Sequence, residues 1–182
     1  MPGPEIRGVH DPVDMLRVFD QVFTSRDGLG MTFRPTIVSR GVLLPVHFVL
    51  DANQCRALAA AVRYLGEDRF YISLTERADP PTVNDWIVPV GSLDVYTTDR
   101  DLPFAVFSNA LYSATGKWGL WVSPDWFCIV GGPQEFIETL YSEIGTPVNQ
   151  MVEDFARAYG ADSTRLLLER LFPGNLPAVG RD

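Results

Sequence analysis

The feature that most narrows what this chain can become is the order in which its hydrophobic periodicities change. A helical stripe comes first, then short extended runs, a second helix, several strands in succession, and three helices at the end. Residues 11–25 read as helix, with Met15, Leu16, Phe19, Val22 and Phe23 on one side, Asp11 placed to cap and Pro12 at the first position. Residues 34–50 read as extended, with strands at Thr36-Ile37-Val38 and Val46–Leu50. Residues 52–65 form the clearest helix. Asp51 and Gln54 have capping-box spacing, Cys55, Leu58, Ala59, Val62 and Leu65 point inward, and Gly66 ends the run. Arg69–Thr75 alternates, which predicts Phe70, Ile72 and Leu74 on the core and Tyr71, Ser73 and Thr75 on solvent. Residues 86–90, 93–97 and 104–107 read as further strands, broken at Gly91 and Pro103.

Lys117–Val122 and Trp126–Val130 read as a hairpin around Ser123-Pro124-Asp125. Gly131-Gly132-Pro133 then launches a helix to about Ile144, with Phe136, Ile137, Leu140 and Tyr141 inward. Thr146 is placed to cap the next helix, with Pro147 at its first position and Val148, Met151, Val152, Phe155 and Tyr159 on its core side. Gly160 stops it, and Asp162 is placed to cap a last helix running to Phe172. Strands in a run followed by helices in a run predict an α+β fold. The expectation is one domain over residues 1–182 with a mainly antiparallel sheet of about six to eight short strands and about five helices, three of them consecutive at the C-terminus. Residues 1–10 and 175–182 are expected to be loose.

The net charge of the 182 residues is −8. It builds along the chain: residues 1–60 balance at zero, 61–120 carry −3 and 121–182 carry −5. Such a chain is repelled by phosphate backbones, which excludes nucleic acid as the expected partner and makes a basic protein the easier one. Fourteen of the 15 cationic residues are arginine, a bias that matches a GC-rich bacterial genome. No apolar run is long enough to span a bilayer, and Met1–Arg7 has neither the basic start nor the apolar stretch of a signal peptide, so the expected location is cytoplasmic, away from membranes. Cys55 and Cys128 lie among apolar neighbours and read as small buried residues; with His10 and His47 they offer no zinc spacing.

Catalytic patterns fail one by one. Ser113-Ala114-Thr115-Gly116-Lys117 ends like a phosphate-binding loop, but Leu111 stands where its first glycine belongs and Trp118 where a hydroxyl would hold magnesium. Gly28-Leu29-Gly30 lacks the third glycine of a dinucleotide loop, since position 33 is Phe. No nucleophile elbow is present, and His47, inside an apolar run, reads as a sheet residue more readily than as a base. Asp99-Arg100-Asp101 could hold a cation only with further ligands, so it reads as a turn. Neither a cofactor nor a metal is expected.

What is left is aromatic and acidic. Trp118 and Trp121 stand three apart, so a regular strand sends them to opposite faces; either helices cover both faces or one ring is available for binding. Asp85, Trp86, Asp94, Asp99 and Asp101 with Trp118 or Trp121 make up the candidate binding patch. The segment Tyr112–Trp121, followed by Phe127–Gly132 and its helix, resembles a segment of small acidic bacterial proteins, some of them immunity-like proteins of polymorphic-toxin loci. That resemblance covers about 30 of the 182 residues. It implies a stoichiometric inhibitor without a cofactor and carries over no functional residues. The leading expectation is therefore a non-enzymatic protein-binding domain, an acidic immunity-type inhibitor of a basic partner. The alternatives are a small-molecule-binding or enzymatic domain with a cleft near His47, and a structural subunit of a larger assembly. The sequence leaves the oligomeric state open.

Overall fold

The computed structural model describes residues 5–26, 31–44, 49–76, 83–93, 107–123, 125 and 127–172. Within them lie strands β1 (Arg7–Gly8), β2 (Ser39–Leu43), β3 (Arg69–Leu74), β4 (Asp85–Pro89), β5 (Asn109–Ser113), β6 (Gly119–Val122) and β7 (Cys128–Gly132). The helices are α1 (Val13–Val22), α2 (Ala52–Tyr64), α3 (Gln134–Ile144), α4 (Val148–Tyr159) and α5 (Ala161–Leu171). The fold is α+β. Among the described residues the seven strands form one antiparallel sheet in the order β1-β4-β3-β5-β6-β7-β2, and the last three helices follow one another at the C-terminus.

One row of paired residues shows how the sheet is covered. Ile87 sits opposite Tyr71, Tyr71 opposite Tyr112, Tyr112 opposite Gly119, Gly119 opposite Gly131, and Gly131 opposite Arg40. Helix α1 lies on this row. Phe19 meets Tyr112 edge-on at 5.3 Å between ring centres. Phe23 comes down on Gly119 and stacks on Phe33, which comes down on Gly131. A Cβ at Gly119 would lie 2.6 Å from Phe23 and 2.6 Å from Val22, so these rings can touch the backbone only because two facing glycines leave room. Toward β2 the same face is covered by α4, through the ring contacts Trp121–Phe127 and Phe127–Phe155.

The other face carries α3, with α2 packed beside it. Phe136 of α3 stacks on Trp118 at 5.1 Å with the rings 13° apart, and Trp118 also meets Phe70. Tyr141 reaches across Gly41, and its hydroxyl donates to the Val42 carbonyl. The sheet is thus the middle of three layers, and the apolar residues on its two sides belong to one buried cluster.

Several local expectations are met. Asp51 and Gln54 form both bonds of the capping box, worth about 1 kcal/mol to a helix start, and Gly66 takes a φ of +75° just past the end of α2. The predicted core faces of α3 and α4 are buried or half-buried.

Others are corrected. Helix α1 starts at Val13 with Pro12 as its N-cap, and Asp11 makes no capping bond; α4 has the same arrangement with Pro147 in place of Thr146. Helix α5 begins directly after Gly160, at Ala161. The strand placed at 36–38 lies at Ser39–Leu43, because there Gly41 admits Tyr141; Ile37 is buried, and Val38 is exposed. Val49 and Leu50 are not in a strand, and positions 46–48 lie outside the described residues. After β4 the chain makes a 3₁₀ turn at Val90–Ser92 in place of a strand near 93, and Phe107 falls in a bend; 94–97 and 104–106 lie outside the described residues. The hairpin strands begin at Gly119 and Cys128, two residues later than predicted, and β7 runs on through Gly131 and Gly132. Ser73 is buried, against the expected solvent face of β3.

Candidate functional site

The sequence-derived patch does not assemble at the surface. Asp85, Trp86, Trp118 and Trp121 are all buried. The two hairpin tryptophans do point to opposite faces, and each is covered: Trp118 by Phe136 of α3, Trp121 by Phe127, which α4 packs in turn. The polar edge of Trp121 is satisfied inside, since its indole N–H donates to Ser108 Oγ at 3.0 Å and Ser108 Oγ donates to the Val122 carbonyl. Trp86 pairs with Ile72 on the face that α2 and α3 cover. Asp94, Asp99, Asp101 and His47 lie outside the described residues.

Asp85 is held in a buried polar chain. Ser73, its partner across the β3–β4 ladder, donates its hydroxyl to Asp85 Oδ1 at 2.6 Å. Ser73 has a single proton to give, so the 2.9 Å contact with Tyr112 must be a bond from the Tyr112 hydroxyl to Ser73 Oγ. These three side chains are exposed by at most 2%. Sequence reasoning missed this cluster, because an aspartate beside a tryptophan reads as surface and a serine on an alternating strand reads as the wet side. The cross-strand register that joins them is a tertiary fact.

The thiols are sealed as well. Burial pushes the Cys55 thiol up to about 12, with the charge of Asp51 a smaller cause, and burial pushes the thiol of Cys128 higher still. Both stay neutral in the fold at a pH where an unfolded thiol, ordinarily near ~8.5, ionises. Their contribution to stability is complete below that ordinary value and is lost as pH rises toward the folded values. Chemical denaturation midpoints are expected to fall between pH 9 and 10 by a stability slope of about 1.4 kcal/mol per pH unit for each thiol. Cys55→Ala should remove one share of that slope. Rapid labelling of both cysteines by a thiol reagent in the native protein at pH 8 would contradict the burial on which this rests.

Two open concavities are lined by described residues. One, of about 360 Å³, lies at the β1–β4–β3 corner between Arg7, Arg69, Ile87 and Pro89, with Glu5 and Asp68 beside them. The other, of about 240 Å³, runs along α2, where Cys55, Ala59, Val90 and Leu93 lie between Arg56 and Arg63. Neither touches the Asp85 chain. No group of three or more His, Cys, Asp or Glu side chains suited to a metal occurs among the described residues, and none of their helices is long and apolar enough to cross a membrane.

The charge of the C-terminal third is one-sided. Residues 118–156 hold Asp125, Glu135, Glu138, Glu143, Glu153 and Asp154 and no lysine or arginine. All but half-buried Asp154 are exposed. Helices α3 and α4 lie on opposite faces of the sheet, and both touch β2. Set against known protein families, curated proteins and solved structures, the chain matches none.

Proposed function

We propose that the chain is a non-enzymatic protein-binding domain, an acidic immunity-type inhibitor that takes a basic partner on the β2 margin. The observation that carries this reading is the 118–156 stretch, with its six carboxylates and no cation. Among the described residues only Asp154 of the six has an ion-pair partner, Arg157 at 2.8 Å. The other five are left to project a negative field, which speeds encounter with a basic surface and is screened over about 8 Å at physiological salt. The reactive groups of the described core point the same way: Asp85 is tied to Ser73, and both thiols are neutral and enclosed. A stoichiometric binder needs no reactive group at its surface.

The test is affinity capture from the source organism at about 50 mM salt, where screening is weak, comparing the wild-type chain with a Glu135→Gln, Glu138→Gln, Glu143→Gln triple variant. A basic partner is expected on the wild type. The triple variant should bind it about tenfold more weakly, since rim charges contribute up to about 1 kcal/mol each. Capture of a neutral or acidic partner, or equal capture by both proteins, would rule out the acidic margin.

A further inference from the structure

The groove along α2 has the opposite character from the β2 margin. Positions 52, 55, 56, 59 and 63 follow helical spacing, so Ala52, Cys55, Arg56, Ala59 and Arg63 share one side of α2 and face the 3₁₀ turn after β4. The floor is apolar and made of short side chains, with Val90 and Leu93 across from Cys55 and Ala59. Arg56 and Arg63 stand at its rim seven positions apart, roughly 10 Å along the helix axis. Both are exposed.

Some arginines of this chain are paired with its own acids, and these two are not. Arg17, Arg26, Arg157 and Arg165 each have a carboxylate of the same chain within 3.3 Å. Among the described residues Arg56 has only the carboxamide of Asn53, and Arg63 makes no hydrogen bond or ion pair. Asp51, at the head of the helix, is committed to the backbone N–H of Gln54. In an acidic protein, two cations without a carboxylate partner among the described residues bracket an apolar strip. Tyr64, next to Arg63, is 66% exposed, and tyrosine with arginine is the pairing that concentrates binding energy at interfaces.

We propose that this groove is a second recognition surface, and that it takes an acidic amphipathic segment of a protein partner. Charge complementarity selects the acid: two carboxylates spaced by two helical turns would meet Arg56 and Arg63. The floor selects an apolar side chain between them, as in other cases where a helix lies in a groove. The volume argues against a free small molecule, because about 240 Å³ of open groove is below the roughly 300–1,000 Å³ of pockets that enclose one. None of the groove-lining residues belongs to α3 or α4, so this surface and the acidic margin share no side chain.

The test is selection from a phage library of random 12-residue segments on the wild-type chain, with counter-selection on an Arg56→Glu, Arg63→Glu double variant. The expected result is enrichment of segments with two acidic residues around a leucine, isoleucine or phenylalanine. A synthetic peptide of the enriched sequence should shift the amide resonances of α2 and residues 90–93. It should bind the double variant at least about tenfold more weakly and an Arg56→Ala variant to an intermediate degree. All substituted positions are exposed, and an unchanged melting temperature verifies that each variant is folded. The Glu135→Gln, Glu138→Gln, Glu143→Gln variant should keep full affinity for the peptide, which separates this surface from the acidic margin. Enrichment of basic or uncharged segments, no enrichment over the counter-selection, or undiminished binding to the double variant would each overturn the proposal.

Discussion

Gly119→Ala is expected to lower the melting temperature by roughly 5–10 °C, the shift for about 2–3 kcal/mol in a chain of this size. A methyl group there would lie 2.6 Å from Phe23 Cζ and 2.6 Å from Val22 Cγ1. Neither can step aside. Val22 and Phe23 have no exposed surface, Phe23 is stacked on Phe33, and Phe19 is tilted against Phe23 at 4.8 Å. The position opposite, Gly131, is filled by Phe33 and Ile37, so displaced rings would run into a second full site. Phe23→Leu removes one of the two clashing atoms, the ring Cζ, and leaves Val22 Cγ1. In the Gly119→Ala background it should therefore cost about 1 kcal/mol less than in the wild type, a coupling that thermal melts of the four proteins would measure. A Gly119→Ala protein melting within about 1 °C of wild type would show that α1 does not press on the sheet as described.

Ser73→Ala is the second large effect, and it acts by removing two buried hydrogen bonds at once. The substitution removes no bulk that the core needs. It takes the donor from Asp85 and the acceptor from Tyr112, both enclosed. A bond to a charged group contributes about 1.5–3 kcal/mol and a neutral one about 0.5–1.5 kcal/mol, so a loss of about 2–4 kcal/mol is expected in urea denaturation at neutral pH. Tyr112→Phe breaks the Ser73 bond and leaves the Ser73–Asp85 bond in place, so it should cost less. The Ser73→Ala, Tyr112→Phe double variant should be closer to Ser73→Ala than to the sum of the two. Simple additivity would mean that the three groups do not act as a chain.

The elements most legible in the sequence were those whose signal is local. The Asp51–Gln54 box and Gly66 bound α2 by bonds and a backbone angle that a few neighbouring residues determine. The stripes of α3 and α4 were legible because one face of each meets the core. The glycines misled. Gly131 and Gly132 read as the launch of a helix, yet they are strand residues made small so that Phe33 and Phe136 can rest on the backbone, as Gly41 is for Tyr141. Strand β5 was missed altogether: Asn109 and Ser113 at its ends are polar, and its burial on both faces comes from layers remote in sequence.

The candidate site was less legible still. The spacing of Trp118 and Trp121 gave their opposite directions, but whether a helix lay above each could be known only from the packing. Asp85 was read as surface because aspartate usually is, and its partners Ser73 and Tyr112 come from two other strands. The carboxylates of 118–156 could have been found from the sequence by counting cations in a sliding window.

The margins of the sheet also limit how anything can join it. At β2, Tyr141 occupies the Val42 carbonyl, and the Arg40 guanidinium donates to carbonyls of Ile37 and Arg170, which fastens the last turn of α5 alongside. At the other end β1 is two residues long and its neighbour β4 finishes in a proline, which has no amide proton to offer. Neither border gives a newcomer a long ladder to extend. Whatever associates with this protein must recognise the chemistry of its side chains, and the same closed borders should keep concentrated solutions from growing into fibres by strand addition.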